Sequence, residues 1–312
     1  MLESKNMRIA TILVLFTAVI SGISNFLNKE ALSVFKDPIL FASLKSIVVG
    51  LSLITIICVT GKWKEIVRLN KRSALKLLAI GIVGGSIPFA LFFVGLSKIP
   101  AINASLIHKT LFMWVIFLAI PILKERINAM QTVGVIAIFV ANVLVGGFNG
   151  FLYSMGEVMV FAATILWAIE SIIAKFALKE LSSEIVATAR MTLGAFILVP
   201  IALWRGSHFP TIDELSAIHW QWLAIVSILL LGYVLTWYAA LKRAPATYAA
   251  ILLVPATLVT NMLSAIFVTG SLQWIQTAST ALFVIGIYLV IHFSKITSRS
   301  FEQKTQTASF LT

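Results

Sequence analysis

Two segments decide the fold, SGISNFLNKEAL at residues 21–32 and WAIESIIAKFAL at residues 167–178. A shift of 146 sets Lys29 on Lys175 and Ala31-Leu32 on Ala177-Leu178. Next to them, FASLKSIVVG (41–50) falls on VATARMTLGA (186–195) at a shift of 145, which sets Lys45 on Arg190. The same shift places Pro100 on Pro245, Ala104 on Ala249, Gln131 on Gln276 and Leu144-Val145 on Leu289-Val290. Helices of Leu, Ile and Val align easily by chance. Cations and prolines do not, and their near-constant offset reads as an internal duplication.

Composition says what is duplicated. The chain has 312 residues, 60% hydrophobic and 12% charged, with a mean hydropathy of +1.01, far from the soluble average of about 25% charged. The apolar residues fall in runs of about twenty, the length an α-helix needs to cross a bilayer. These runs are continuously apolar, without the alternation of a β-barrel strand. Spans are expected at 8–28, 38–60, 74–97, 100–122, 127–146, 155–178, 184–204, 219–241, 245–268 and 273–293. The expected fold is therefore all-α: a polytopic membrane protein of ten transmembrane helices in one domain. Repeat one covers about 8–146, repeat two about 154–293, and 294–312 forms an unstructured cytoplasmic tail. Five spans is an odd number, so the second copy enters the membrane from the opposite side. Such inverted repeats let one central site face either side in turn.

The net charge of +12 is read as topology rather than as affinity for nucleic acid. With the N-terminus inside, the cytoplasmic segments hold Lys5, Arg8, Lys62, Lys64, Arg68, Lys71, Arg72, Lys76, Lys124, Arg126, Lys179, Lys242, Arg243, Lys295, Arg299 and Lys304. The outer ones hold Lys29, Lys36, Lys98 and Arg205, a balance of 16 to 4. Both termini are expected in the cytoplasm and the protein in the cell (inner) membrane. The first apolar run is too long for a signal peptide and lacks a small-residue cleavage site. The single cysteine, Cys58, and four dispersed histidines supply no metal-ligand spacing, so no metal or cofactor is expected. Partners are the lipid bilayer and a small-molecule substrate, with a homodimer left open.

Two five-span halves, a cation near the end of each first span, another early in each second, and PILKERI (121–127) closing the fourth span resemble the EamA family of the drug/metabolite transporter superfamily. The resemblance runs from about residue 8 to 293. It implies a transporter whose cavity is lined by the first, third, fourth, sixth, eighth and ninth spans, with the fifth and tenth at the periphery. It also implies export of amino acids and related metabolites. The wider superfamily carries nucleotide sugars and sugar phosphates. Two positions depart from the family's pattern. Thr110 stands where the fourth span often has proline, while Pro255 keeps its counterpart; Glu125 is present, while its counterpart is Gly270.

An ionisable residue inside a span is a functional hypothesis by default. Lys109 lies roughly 13 Å into the fourth span at 1.5 Å per residue, near the midplane. With His108 beside it, it is the candidate for attracting a substrate carboxylate or phosphate; the alternative is an ion pair with Glu170. Glu170, Lys175 and Arg190 read as an inner gating cluster, with Lys29 and Lys45 as its outer counterpart. A sharper alternative makes Glu170 a proton-coupling carboxylate. Asn25 and Asn261 are uncharged candidates on presumed cavity helices, and Trp167, Trp237, Tyr238 and Tyr248 could flank a substrate. Gly81, Gly84 and Gly85 read as close helix packing rather than phosphate binding. Convergent nucleophiles or bases at one depth are missing, which argues against a membrane-embedded enzyme. A passive channel is the remaining alternative.

Overall fold

The computed structural model describes residues 2–145, 154–269 and 274–309, and among these every regular element is helical. The helices are α1 (Leu2–Phe35), α2 (Pro38–Val59), α3 (Lys71–Lys98), α4 (Ala101–Lys109 continued by Leu111–Leu123) and α5 (Ala129–Val145). The second half holds α6 (Met155–Ala177), α7 (Ser183–Trp204), α8 (Ala217–Arg243), α9 (Ala246–Leu253 continued by Ala256–Ser264) and α10 (Trp274–Ser309). Among the described residues, eight helices are long and apolar enough to cross a membrane. The shorter apolar stretches Ala129–Leu144 and Thr277–Phe293 coincide with the expected fifth and tenth spans. Gly270 and residues 146–153, between the two expected repeats, lie outside the described residues.

Local chemistry sets where helices begin. Asp37 Oδ1 accepts from the backbone N–H of Ile39 (2.9 Å) and Leu40 (3.1 Å), with Pro38 at the first helical position of α2. Ser154 and Glu157 form a reciprocal capping box at the start of α6. Two ends differ from expectation. α1 runs on to Phe35, so Lys29 sits within the helix rather than in an outer connector; no glycine or proline interrupts residues 23–36. α10 likewise runs to Ser309 where an unstructured tail is expected, again with no glycine or proline to stop it.

Three irregularities position the interior. Residues Gly81–Ser86 of α3 form a π-helical turn at the glycines. A Cβ on Gly85 would strike the Arg190 carbonyl, and one on Gly194 would strike the Gly85 carbonyl, so the glycines let α3 and α7 touch backbone to backbone. α4 breaks at Thr110 (φ −66°, ψ −7°) and α9 at Val254-Pro255, with Pro255 at φ −53°, ψ −12°. The two breaks are 145 residues apart. Thr110 reproduces the proline geometry with two bonds to the Ile107 carbonyl, from its N–H (3.1 Å) and from its hydroxyl (2.7 Å).

Equivalent residues also make equivalent contacts. Lys29 Nζ donates to the carbonyls of Leu96 (2.8 Å) and Ile99 (3.3 Å), at the C-terminal end of α3. Lys175 Nζ donates to those of Leu241 (2.6 Å) and Ala244 (2.5 Å), at the C-terminal end of α8, each acceptor 145 residues on. Each lysine thus satisfies helix-end carbonyls that have no intrahelical donor. α5 and α10 pack mainly on each other, crossing at Gly134 and Gly286, outside the remaining bundle.

Candidate substrate cavity

A face of α1 carries Ser21, Ser24, Asn25 and Asn28, positions three and four apart on one side of the helix. This polar stripe looks into a cavity between the two halves. α2 adds Lys45, α3 adds Phe89, Phe92 and Phe93, and α4 adds His108 and Leu111. From the second half come Trp167, Glu170 and Ser171 of α6, Arg190 of α7, and Leu230, Tyr233 and Trp237 of α8. The space left among them is about 70 Å³, less than the ~300 Å³ and more of sites that hold a drug-sized ligand. A smaller space beyond it, against Asn28, Leu96, Ala104 and Ser105, continues toward the ends of α3 and α4 that meet at Pro100.

The two cations of the cavity, Lys45 and Arg190, stand at repeat-equivalent positions. Lys45, 1% exposed, donates to Asn28 Oδ1 at 2.9 Å and lies 4.8 Å from the Phe93 ring centre and 5.2 Å from that of Phe41. Among the described residues no carboxylate lies within ion-pair distance of Lys45. Arg190 lies 5.6 Å from the Phe89 ring centre, and its Nε donates to the Gly84 carbonyl at 3.2 Å. That carbonyl, in the π turn, also accepts from Trp167 Nε1 at 2.9 Å. Glu170 Oε2 stands 4.0 Å from Arg190, and Glu170 Oε1 accepts from the Tyr238 hydroxyl at 2.6 Å. The π turn therefore fixes the tryptophan and the arginine with one acceptor.

Several candidates fall together here: Asn25, Lys45, His108, Trp167, Glu170, Arg190 and Trp237 line the cavity, with Tyr238 directly behind Glu170. Others lie elsewhere. Lys109 does not line it; its ammonium donates to Ser21 Oγ at 3.0 Å, one layer behind the wall, and it does not pair with Glu170. Tyr248 shares a hydrogen bond of 2.8 Å with Thr11 Oγ1 of α1, and Asn261 is buried in α9 away from the lining. α9, expected to line the cavity, contributes nothing to this wall, and α2 and α7 take part through their cations. Lys29 and Lys175 cap helix ends, as described above. His108 packs its ring 4.9 Å from Trp167 and 5.3 Å from Phe92.

Sequence reading misses Ser21, Ser24, Asn28, Phe89, Phe92, Phe93, Ser171 and Tyr233. The α1 residues were legible as a polar stripe at helical spacing; the phenylalanines carry no signal among so many apolar neighbours. Glu125 has a clear place instead. Its two oxygens accept from the backbone N–H of Ala246 (2.7 Å) and Thr247 (2.9 Å), capping α9 from the end of α4.

Known proteins agree with this architecture. The EamA-like transporter family matches the chain twice, at residues 8–147 and 154–292. An uncharacterized transporter of Archaeoglobus fulgidus is 26% identical over 263 residues, covering 82% of this chain and 90% of that protein. The uncharacterized transporter YyaM of Bacillus subtilis is 24% identical, covering 88% and 91%. With one from Methanothermobacter thermautotrophicus the identity is 24%, and the match spans 61% of that protein's length. A solved crystal structure shares the fold with a TM-score of 0.71 at 18% identity, over 90% of this chain and 94% of that one. Two family matches laid end to end, on a helical bundle whose halves place Lys45 and Arg190, Lys29 and Lys175, in matching roles, identify the chain as a multi-pass membrane transporter that belongs to the EamA-like transporter family.

Proposed function

We propose that the protein is a secondary transporter that exports amino acids or related small polar metabolites by alternating access. It would work in the cell (inner) membrane with both termini cytoplasmic. The observation that carries this reading is the cavity itself. It is polar and aromatic, lies between the halves, and receives one buried cation from each at the same register, Lys45 and Arg190. A metabolite held there touches both halves, so rocking one against the other exchanges the side to which it is exposed. The hinges at Thr110 and Pro255 give each half a point at which to bend.

The cytoplasmic ends are bound to each other across the halves. Lys62 pairs with Glu184 at 2.7 Å, Lys76 with Glu180 at 2.8 Å, and Glu65 accepts from the Ser182 N–H at 2.9 Å. On the opposite side the corresponding connection is a hydrogen bond from Ser207 to Asp37. These contacts support a form latched on the cytoplasmic side.

The test is counterflow in proteoliposomes with a panel of radiolabelled amino acids. Saturable uptake that is stimulated by unlabelled amino acid inside supports a carrier. Flux that neither saturates nor shows counterflow would identify a passive channel. A second reading, transport of sugar phosphates or nucleotide sugars, draws support from the excess of cations in the cavity; the same assay with a labelled sugar phosphate addresses it.

A further inference from the structure

The charges of the cavity do not balance, and the imbalance bears on what it can hold. Glu170 is its one acidic lining residue, and Arg190 stands against it. Lys45 remains. It is 1% exposed, held by a neutral amide oxygen and two phenyl rings, without a carboxylate within reach among the described residues. A buried cation without a counter-charge is costly, and the cost grows as the cavity closes and water leaves. One helical turn from Asn28, Asn25 presents an amide Nδ2 that has no hydrogen-bond acceptor. A donor and a cation on one side of the cavity thus lack an acceptor and an anion.

We infer that the cavity selects a monovalent organic anion with an apolar, preferably aromatic, body: a carboxylate accepts from Lys45 and Asn25 while its body packs against Phe89, Phe92, Trp167 and Trp237. This rests on the alternating-access carrier proposed above and, among the related metabolites it allows, sets a simple carboxylate ahead of the amino acid itself. An anion neutralises the cavity as it closes. A zwitterion of the same shape leaves the net charge unchanged and brings an ammonium toward Lys45 and Arg190, when the sole carboxylate is already engaged by Tyr238 and Arg190. A cation adds repulsion and supplies nothing Lys45 needs. The aromatic body follows from the walls, where offset and edge-on ring contacts add to simple burial.

The experiment compares three ligands that share a phenethyl skeleton and differ in charge: 3-phenylpropionate, L-phenylalanine and phenethylamine. Binding to the purified full-length protein is read from quenching of intrinsic tryptophan fluorescence, to which Trp167 and Trp237 contribute. 3-Phenylpropionate is expected to bind about tenfold or more tightly than phenylalanine, with phenethylamine weakest. Lys45→Gln is expected to remove that preference and Lys45→Arg to keep it, with size-exclusion profiles confirming that both variants fold. Should Lys45→Gln not fold, Asn25→Ala supplies the second arm, with weaker binding of the anion and an unchanged affinity for phenethylamine. Equal or tighter binding of phenylalanine overturns the inference, as does an unaltered preference in folded Lys45→Gln or the absence of binding by all three. Saturable counterflow of any one of the three ligands supports a carrier whichever binds most tightly, so the carrier mechanism and the charge preference fail by different results.

Discussion

Glu170 shows how much a single side chain can hold. It joins Tyr238 of α8 to Arg190 of α7 from α6, all within 5% exposure, so three helices share one carboxylate. Removing one partner of a buried pair leaves the other charged and unsolvated. Glu170→Ala should therefore lower stability by about 3 kcal/mol, read as a fall in melting temperature of the purified protein. Glu170→Gln keeps an oxygen for the Tyr238 hydroxyl and should lose less. If Glu170 serves as part of the gate, the glutamine variant responds to an imposed pH gradient as the wild type does. Loss of that response would make it the coupling group instead. Where the end of α4 meets the start of α9, Glu125→Ala removes both acceptors from the first turn of α9 and should cost about 1–2 kcal/mol, checked by the same melting measurement.

Among the elements, α4 departs most plainly from the family pattern. The helix breaks at Thr110 without a proline, at backbone angles close to those of Pro255. A proline fits φ near −65°, and the Thr110 N–H that it would remove makes a bond to the Ile107 carbonyl three residues back, outside the i−4 ladder. Thr110→Pro should accordingly fold and transport, with a loss of stability of about 1–2 kcal/mol, since both bonds to the Ile107 carbonyl go and the preset φ offsets part of them. A collapse in yield would mean that α4 must straighten at some stage of the cycle. The crossing of α3 and α7 is less forgiving. Gly194→Val would drive a branched side chain into the Gly85 backbone, and the yield of folded protein should fall sharply, seen by size-exclusion chromatography.

At the scale of the whole molecule, the latch ties the α2–α3 connector and the start of α3 to the α6–α7 turn and the start of α7. Glu180, outside the spans, is held below its ordinary value of 4.5, first by the hydrogen bond from Lys76 and then by that from Ser73. A carboxylate depressed in the folded state contributes stability that is present above its ordinary value and lost as pH falls through the folded one. The latch should thus hold at neutral pH and release below 4.5. In melting curves taken from about pH 6 to about pH 3, the wild type should lose more than Glu180→Gln, which has no proton to gain. Equal losses would show that the contact carries no weight.

Much of this was readable in one dimension. Span number, duplication and opposite insertion follow from run length, residue offsets and an odd count, because a bilayer forces every backbone group into a local helix. Lys45 opposite Arg190, and Lys29 opposite Lys175, could be paired from spacing alone, since helical register is a local property. Which of the buried cations faces the cavity was not available there. Lys109 and Lys45 both read as charged residues inside apolar spans, yet one bonds Ser21 behind the wall and the other stands in it. That difference is set by the rotation and tilt of each helix against its neighbours, by the glycine contact of α3 with α7, and by the breaks in α4 and α9. These arise only when distant segments pack, so the sequence determined the bundle and the tertiary structure decided its site.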